Sequence, residues 1–170
     1  MSKFNPTNGR LTKKRLTESI TGNSNAPAGD VVEGLQILLS SYKVHHQNAH
    51  ALHLNSKGRM FFVAHDAFKT VYLDAFDTSD VIAERILALK ESPLSSYTQY
   101  LQTSLIPECG CISDYEEAIA VVVNSQNVLL ELQAKIFAEA VTCGDDGTAT
   151  LLSDMNIKLQ KSNWMFTSSL

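Results

Sequence analysis

The sequence predicts an all-α protein, a bundle of four long helices with one long crossover between the second and the third. Glycine and proline, the strongest helix breakers, fall in clusters and leave four long segments almost free of them. Within these segments the apolar residues recur every three or four positions, as one buried face of a helix requires. The connections are short except for one, and that exception selects the topology.

The first helix is predicted to open at Asp30, because Asp30-Val31-Val32-Glu33 is typical of a capping box, and to end at Gly58. Its apolar face is formed by Leu35, Leu38, Leu39, Tyr42, His46, Ala49 and His53. The second helix runs from about Arg59 to Ser92, since the residue before Pro93 is disfavoured in a helix. Its apolar positions are Phe61, Phe68, Tyr72, Phe76, Ile82, Ala83 and Ile86.

The third helix extends from about Asp114 to Cys143, with Gly144 as its natural stop. The fourth extends from Asp145 to about Ser168. Few residues join the first helix to the second, or the third to the fourth, so each pair is an antiparallel hairpin. The second and third helices carry more apolar surface than one bundle covers, which predicts self-association.

Residues 93–113 form the long connection between the second and third helices. They are too many for a tight turn and enough to cross the bundle, which is the arrangement of ferritin-like folds. Within the crossover, residues 94–101 are predicted to form a short helix with Leu94, Tyr97 and Leu101 on one side. The predicted architecture is a ferritin-like four-helix bundle with a long crossover containing a short helix between helices 2 and 3.

Composition restricts the class of protein further. The chain of 170 residues is 44% hydrophobic and 19% charged, which excludes disordered and fibrous chains. No apolar run is long enough to span a membrane, and the first residues lack the apolar core of a secretory signal. The three cysteines lack the spacing of a redox or zinc motif, so reduced thiols and a cytoplasmic location are expected, with no membrane partner.

The charge is divided unequally between a basic N-terminal arm, residues 1–29, and an acidic bundle domain, residues 30–170. Residues 1–30 hold five basic side chains against two acidic ones, a net charge of +3, whereas residues 31–170 carry −7. Such an arm is attracted to a polyanion, of which DNA is the leading candidate. The alternative is a solvated tail that aids solubility. The candidate DNA-binding residues are Lys3, Arg10, Lys13, Lys14 and Arg15.

All five histidines lie between residues 45 and 65, and the chain contains no Glu-x-x-His, so an intrasubunit di-iron centre is not expected. The remaining candidates are His53, His65 and the helix-face pair Asp80 and Glu84, a mixed set that suits Fe(II), Mn(II) or Zn(II). From His65 to Asp80 is roughly 22 Å along a helix, so they meet at one ion only across a two-fold axis. The alternative interpretation is that the two histidines are hydrogen-bonded core residues and that the two carboxylates form a solvated helix face, which Arg85 nearby neutralises.

Several segments of the chain resemble, in order, the Dps family of mini-ferritins, and the resemblance covers about residues 30–168. They are His53-Leu54-Asn55-Ser56-Lys57-Gly58, Phe61-Phe62-Val63-Ala64-His65, Asp80-Val81-Ile82-Ala83-Glu84-Arg85, Pro93-Leu94, residues 144–152 and Asn163-Trp164-Met165. The resemblance implies a homo-dodecameric shell that oxidises Fe(II) with peroxide or oxygen, stores ferric iron and often binds DNA through a terminal arm. Zinc and manganese are the candidate competitors of iron at such a mixed set of ligands.

The resemblance also assigns residues. His53 and His65 of one chain would bind the metal with Asp80 and Glu84 of its neighbour, making these four the catalytic set, and Asp66 would face the cavity and collect ferric ions. This sequence departs from the family at Lys69, where a carboxylate is expected one turn after His65.

A protonated lysine has no lone pair and repels a divalent ion. The first hypothesis is therefore a ferroxidase mini-ferritin of reduced or altered activity. The alternatives are a shell that compacts DNA with its ferroxidase site impaired by Lys69, and a monomeric bundle without metal.

Overall fold

A computed structural model describes residues 28–170 of the chain, and in this part it contains helices and no strands. Residues 1–27 of the predicted basic arm, which include all the candidate DNA-binding residues, lie outside the described residues. The helices are α1 (Ala28–Asn55), α2 (Phe61–Ala88), α3 (Tyr97–Thr103), α4 (Tyr115–Cys143) and α5 (Asp146–Thr167). The predicted all-α fold is confirmed.

The helix ends differ from prediction by a few residues. α1 begins at Ala28, so Asp30 lies in its first turn instead of capping it, and the helix ends at Asn55, before Gly58. α2 ends at Ala88 because the chain turns there: the Lys90 amide donates to Leu87 O and the Glu91 amide to Ile86 O, with Lys90 in the left-handed region at φ 66°.

The hairpins are paired as predicted, with α1 packed against α2 and α4 against α5, while α1 also contacts α4 across the bundle. α4 begins where the Asp114 carboxylate accepts the Glu117 amide at 2.9 Å. It ends at Gly144, whose φ of 76° suits a residue without a Cβ. The Asp145 carboxylate then caps α5 by accepting the Thr148 amide at 3.0 Å.

The crossover helix α3 lies three residues later than predicted. Ser96 is its cap, with an extended backbone and a capping box completed by Gln99. Gln36 on α1 holds the residues before α3: its amide nitrogen donates to Ser92 O at 2.8 Å and its oxygen accepts the Leu94 amide at 2.9 Å. None of the α3 residues is buried, and Tyr97 is 81% exposed.

The buried side chains form two apolar clusters. The larger one fills the bundle between α1, α2, α4 and α5, and at one point α1 approaches α4 so closely that a Cβ on Gly34 would lie 2.7 Å from Ile136 Cγ1. The smaller one lies beneath the end of α1 and the start of α2, where Phe68 is 1% exposed. Burying such a ring contributes about 2–3 kcal/mol. This smaller cluster supports the histidines described below.

The outward face of α2 is apolar to an unusual degree in the single chain. Phe62 is 80% exposed, Val63 61% and Phe76 53%, and Leu73 and Leu87 are exposed as well. A patch of this kind marks a contact with another molecule. Trp164 on α5 is likewise exposed, off the apolar stripe of that helix. No helix within residues 28–170 has the length and apolar character that crossing a membrane requires.

Candidate metal centre

The loop between α1 and α2 brings His53 and His65 together. Gly58 adopts a φ of 78° in this loop, a conformation that residues with a Cβ rarely take, and the chain reverses within a few residues. The two imidazole rings then stack with their centroids 3.6 Å apart and their planes at 24°. The structure therefore brings together, within one chain, the two histidines predicted from the sequence as candidate ligands.

The hydrogen bonds of the pair fix the tautomer of each ring. His53 Nδ1 lies 2.7 Å from His65 O, and His65 Nδ1 lies 3.0 Å from His53 O. A carbonyl oxygen only accepts, so each Nδ1 carries the proton and donates. In the neutral ring the lone pair is then on Nε2. Each imidazole is thus held in the tautomer that a metal ligand needs, with its position fixed by backbone atoms.

Aromatic side chains pack around the pair. Phe61 stacks on His65 with centroids 5.0 Å apart, and Tyr72 meets His53 edge-on at 5.3 Å. His50 lies parallel to His53 at 6.3 Å and His46 continues the row one turn further along α1, where its Nδ1 donates to Tyr72 O at 2.8 Å. These contacts restrict ring rotation. The sequence placed Phe61 and Tyr72 on the buried stripe but gave no sign that they contact the histidines.

The predicted carboxylate ligands do not reach the histidines within one chain. Asp80 and Glu84 lie on α2 one turn apart, and both are exposed. Among residues 28–170 no three His, Cys, Asp or Glu side chains come together in a way that would hold a metal ion. Within the described residues, the two histidines are therefore not joined by a third side chain of these types.

Arg85 does not neutralise the adjacent carboxylates, as one alternative supposed. Its Nε donates to Thr148 Oγ1 at 2.8 Å and its guanidinium pairs with Asp145 on α5. Burial disfavours the Asp145 anion, but hydrogen bonds from Thr148 and the charge of Arg85 outweigh burial and lower the pKa of Asp145. Glu84 is consequently left without this cation.

The remaining predicted site residues lie on the α2 surface close to His65. Asp66 follows His65 directly and is exposed, and Lys69 stands one turn after His65, also exposed. The Thr70 hydroxyl donates to the backbone oxygen of Asp66 at 3.1 Å. This bond within the helix does not involve the Asp66 carboxylate. Lys69 therefore lies on the same helix, one turn from a candidate ligand, where its charge acts on any cation bound there.

Comparison with known proteins identifies the family. The family model of the ferritin-like domain matches residues 32–170, most of the chain. An uncharacterized protein of Haemophilus influenzae is 32% identical over 154 residues, which are 91% of this chain and 96% of that protein. The DNA protection during starvation protein 2 of Bacillus anthracis is 29% identical over 140 residues, 82% of this chain and 96% of that one.

Solved structures agree. The crystal structure of a Dps protein from Vibrio cholerae O1, described as a ferritin-like diiron-carboxylate protein, superposes with a TM-score of 0.80 at 29% identity and 98% coverage of both chains. That of Dps from Staphylococcus aureus gives 0.83 at 27% identity, covering 86% of this chain and 98% of that one. With five helices in this order within residues 28–170 and a ferritin-like match over residues 32–170, the chain belongs to the Dps family of ferritin-like proteins.

Proposed function

We propose that this protein is a Dps-type mini-ferritin, a dodecameric shell that binds Fe(II), oxidises it with peroxide or oxygen, stores the ferric product and thereby protects DNA. The observation that carries the proposal is the locked pair of histidines. Two stacked imidazoles with Nδ1 bound to backbone carbonyls present two Nε2 lone pairs and no other evident use for them. Such donors suit a borderline divalent ion.

The missing carboxylates come from a second chain in this proposal. The exposed face of α2 carries the histidine region at one end, Asp80 and Glu84 at the other, and apolar Leu73 and Phe76 between them. An antiparallel copy related by a two-fold axis would place the acidic end of each chain on the histidine end of the other, twice, and cover the apolar middle. The charge pattern and the exposed apolar surface both support this arrangement.

The residues divide the chemistry between them. His53 and His65 bind the ferrous substrate through nitrogen, and Asp80 and Glu84 of the second chain supply negative charge that favours the ferric product. With hydrogen peroxide, two ferrous ions give up one electron each and the peroxide, taking two protons, leaves as two water molecules. Asp66, exposed beside His65, would collect ferric ions as they leave the centre.

Lys69 sets the expected affinity. Its ammonium cannot ligate and repels a divalent cation nearby, so each site is proposed to bind one metal ion weakly or to be specialised. Titration of Fe(II) into the metal-free shell tests this directly. Two tight ions per site would contradict the proposed role of Lys69, while zinc or manganese added first should reduce iron uptake if they compete for the same ligands.

The ligand assignment is tested with His65→Gln and Asp80→Asn, each measured for Fe(II) oxidation in the presence of peroxide. Glutamine keeps an N–H donor for the His53 carbonyl but has no imidazole lone pair, so the fold should survive while the rate falls at least tenfold. The matched control is His50→Gln, which changes a neighbouring imidazole that is outside the proposed ligand set. The control should keep the rate of the unmodified protein. If His65→Gln and Asp80→Asn keep that rate as well, the proposed centre is wrong.

A second candidate function rests on the exposed position of Lys69 and the basic arm: a shell that compacts DNA and whose ferroxidase centre is impaired. Lys69→Asp separates the two, since a large gain in oxidation rate favours the impaired centre and equal rates favour the enzyme. Deleting residues 2–20 should abolish DNA retardation only if the arm binds DNA, and that binding should weaken steeply with salt.

Assembly and location belong to the proposal as well. Light scattering should give the mass of twelve chains, and the mass of a single chain would refute the shell and with it the shared centre. A cytoplasmic location is proposed, close to the nucleoid if the arm binds DNA, and fluorescence microscopy of the tagged protein tests it.

A further inference from the structure

A cleft of about 610 Å³ lies between α2 and α5 and contains none of the four proposed metal ligands. α1 is packed along α2, and α4 along α5, but α2 faces α5 there through small side chains, Ala64, Ala67 and Ala75, which leave room. A space of this size is typical of sites for small organic molecules.

The walls of the cleft are apolar and its floor is polar. Val71, Ile119, Leu159 and Phe166 are among the wall residues, so a flat apolar ligand would be in contact on both sides. The floor is formed by Tyr42, His45 and Gln126, side chains that are 3%, 3% and 1% exposed. Polar groups buried this deeply are normally hydrogen-bonded.

Within the part of the chain that the structure describes, the side chains of the floor leave some of their hydrogen-bonding capacity unused. The Gln126 amide donates to Ser162 Oγ at 2.8 Å, yet its Oε1 is buried with no partner. Within residues 28–170, no group hydrogen-bonds the His45 imidazole. The Tyr42 hydroxyl accepts from Gln133 Nε2 at 2.8 Å, which leaves its own hydrogen to be donated. An acceptor buried without a partner destabilises the fold, so a ligand that donates a hydrogen bond to it is favoured.

The rim of the cleft carries an excess of positive charge. Lys158 and Lys161 of α5 line it, together with a single carboxylate, that of Asp74 on α2. Lys158 acts on Asp74 directly, because its charge offsets part of the effect by which burial raises the pKa of that carboxyl. Lys161 forms no ion pair within residues 28–170. The rim is therefore suited to one negative charge.

We propose that this cleft binds a small aromatic acid that carries a hydroxyl group. The ring lies between the apolar walls, the hydroxyl donates to Gln126 Oε1 and meets the imidazole of His45, and the carboxylate pairs with Lys161. Such a ligand matches the apolar walls, the polar floor and the basic rim of the cleft, and it supplies the donor that the buried oxygen of Gln126 lacks. It does not depend on the metal centre.

The experiment is calorimetric titration of the full-length protein with 4-hydroxybenzoate, compared with benzoate, which lacks the hydroxyl, and phenol, which lacks the carboxylate. We expect saturable binding at one site per chain, and binding of each analogue about tenfold weaker. Gln126→Leu should weaken 4-hydroxybenzoate about tenfold by removing the acceptor, and Lys161→Met should do the same by removing the charge. Lys135→Met changes an exposed lysine outside the cleft and should have no effect.

Three results would overturn the assignment. The first is no saturable binding of 4-hydroxybenzoate at about 10 mM, a concentration beyond the weakest meaningful affinity. The second is binding of benzoate and phenol as tight as that of 4-hydroxybenzoate, and the third is binding that Gln126→Leu and Lys161→Met leave unchanged. Lys161→Met changes an exposed side chain, so it stays informative if the buried substitution prevents folding. His65→Gln must retain binding of 4-hydroxybenzoate, and because that variant is expected to lose iron oxidation, the two proposals fail separately.

Discussion

Lowering the pH should destabilise this protein through one buried histidine. His45 is 3% exposed, and burial, aided by the nearby His46, lowers the pKa of its imidazole to about 4 from an ordinary value of 6.5. The unfolded chain therefore binds a proton at pH values where the folded chain does not. Stability must rise with pH across this range, so the contribution of His45 is complete above the ordinary pKa and is lost as the pH falls from 6.5 toward about 4.

The size of the effect follows from the two pKa values. One pKa unit corresponds to about 1.4 kcal/mol, so the full difference approaches about 3 kcal/mol once the pH is below both values. Between about pH 7.5 and about pH 5 the expected loss in the free energy of unfolding is about 2 kcal/mol, since most unfolded chains are then protonated and most folded ones are not. This is a large fraction of the stability of an ordinary domain.

The assay is urea denaturation, followed by circular dichroism, of the unmodified protein and of His45→Leu across this pH range. Other groups titrate in both proteins, so the quantity that isolates His45 is the difference between their pH slopes. His45→Leu should remove about 2 kcal/mol of pH dependence, and His50→Leu, one turn further along α1, should leave the His45 contribution in place. Identical slopes in the unmodified protein and His45→Leu would refute the reasoning.

Three further predictions concern single contacts, all measured by denaturation. Gly34→Ala should cost about 1–3 kcal/mol by overpacking against Ile136, and Ile136→Ala should remove that cost; a wild-type stability for Gly34→Ala would contradict the close approach. A Cβ on Gly147 would lie 3.0 Å from Arg85 Nη2. Gly147→Ala should therefore lower the free energy of unfolding by about 1 kcal/mol more in the protein that has Arg85 than in the Arg85→Ala variant. Asp145→Asn should reduce stability at neutral pH and match the unmodified protein once the pH falls below the lowered pKa of Asp145, because a depressed carboxyl pKa stabilises the fold only while the group is ionised.

The long helices were predictable because their signals are local. Breakers and three-to-four periodicity lie within each segment, and Gly144 ends α4 as its position indicates. The crossover helix was displaced because its start depends on Gln36, which is more than fifty residues away in sequence and binds the backbone of Ser92 and Leu94. A contact of that range leaves no pattern in the residues around position 96.

In the candidate metal centre too, the residue types can be predicted from the sequence, but the contacts that depend on distant residues cannot. Histidines at positions 53 and 65 can be read from the chain, but their tautomers depend on which backbone carbonyl each Nδ1 meets, and that depends on the loop around Gly58. Arg85 looked like a neighbour of Glu84 in sequence, yet it turns to α5. The cleft was hidden for another reason: alanines such as Ala67 look like ordinary core positions until the facing helix is seen to stand apart.

The end of α1 explains why the histidine pair can be rigid without a metal ion. The last carbonyls of a helix have no partner within the helix and need donors from elsewhere. Here the Ser56 hydroxyl donates to Leu52 O at 2.8 Å and His65 Nδ1 donates to His53 O at 3.0 Å. The bond that orients the His65 ring is thus one that the helix end requires. Because folding itself pays for that orientation, the Nε2 atoms are held in place before a metal ion arrives, and binding loses less entropy than it would with free rings.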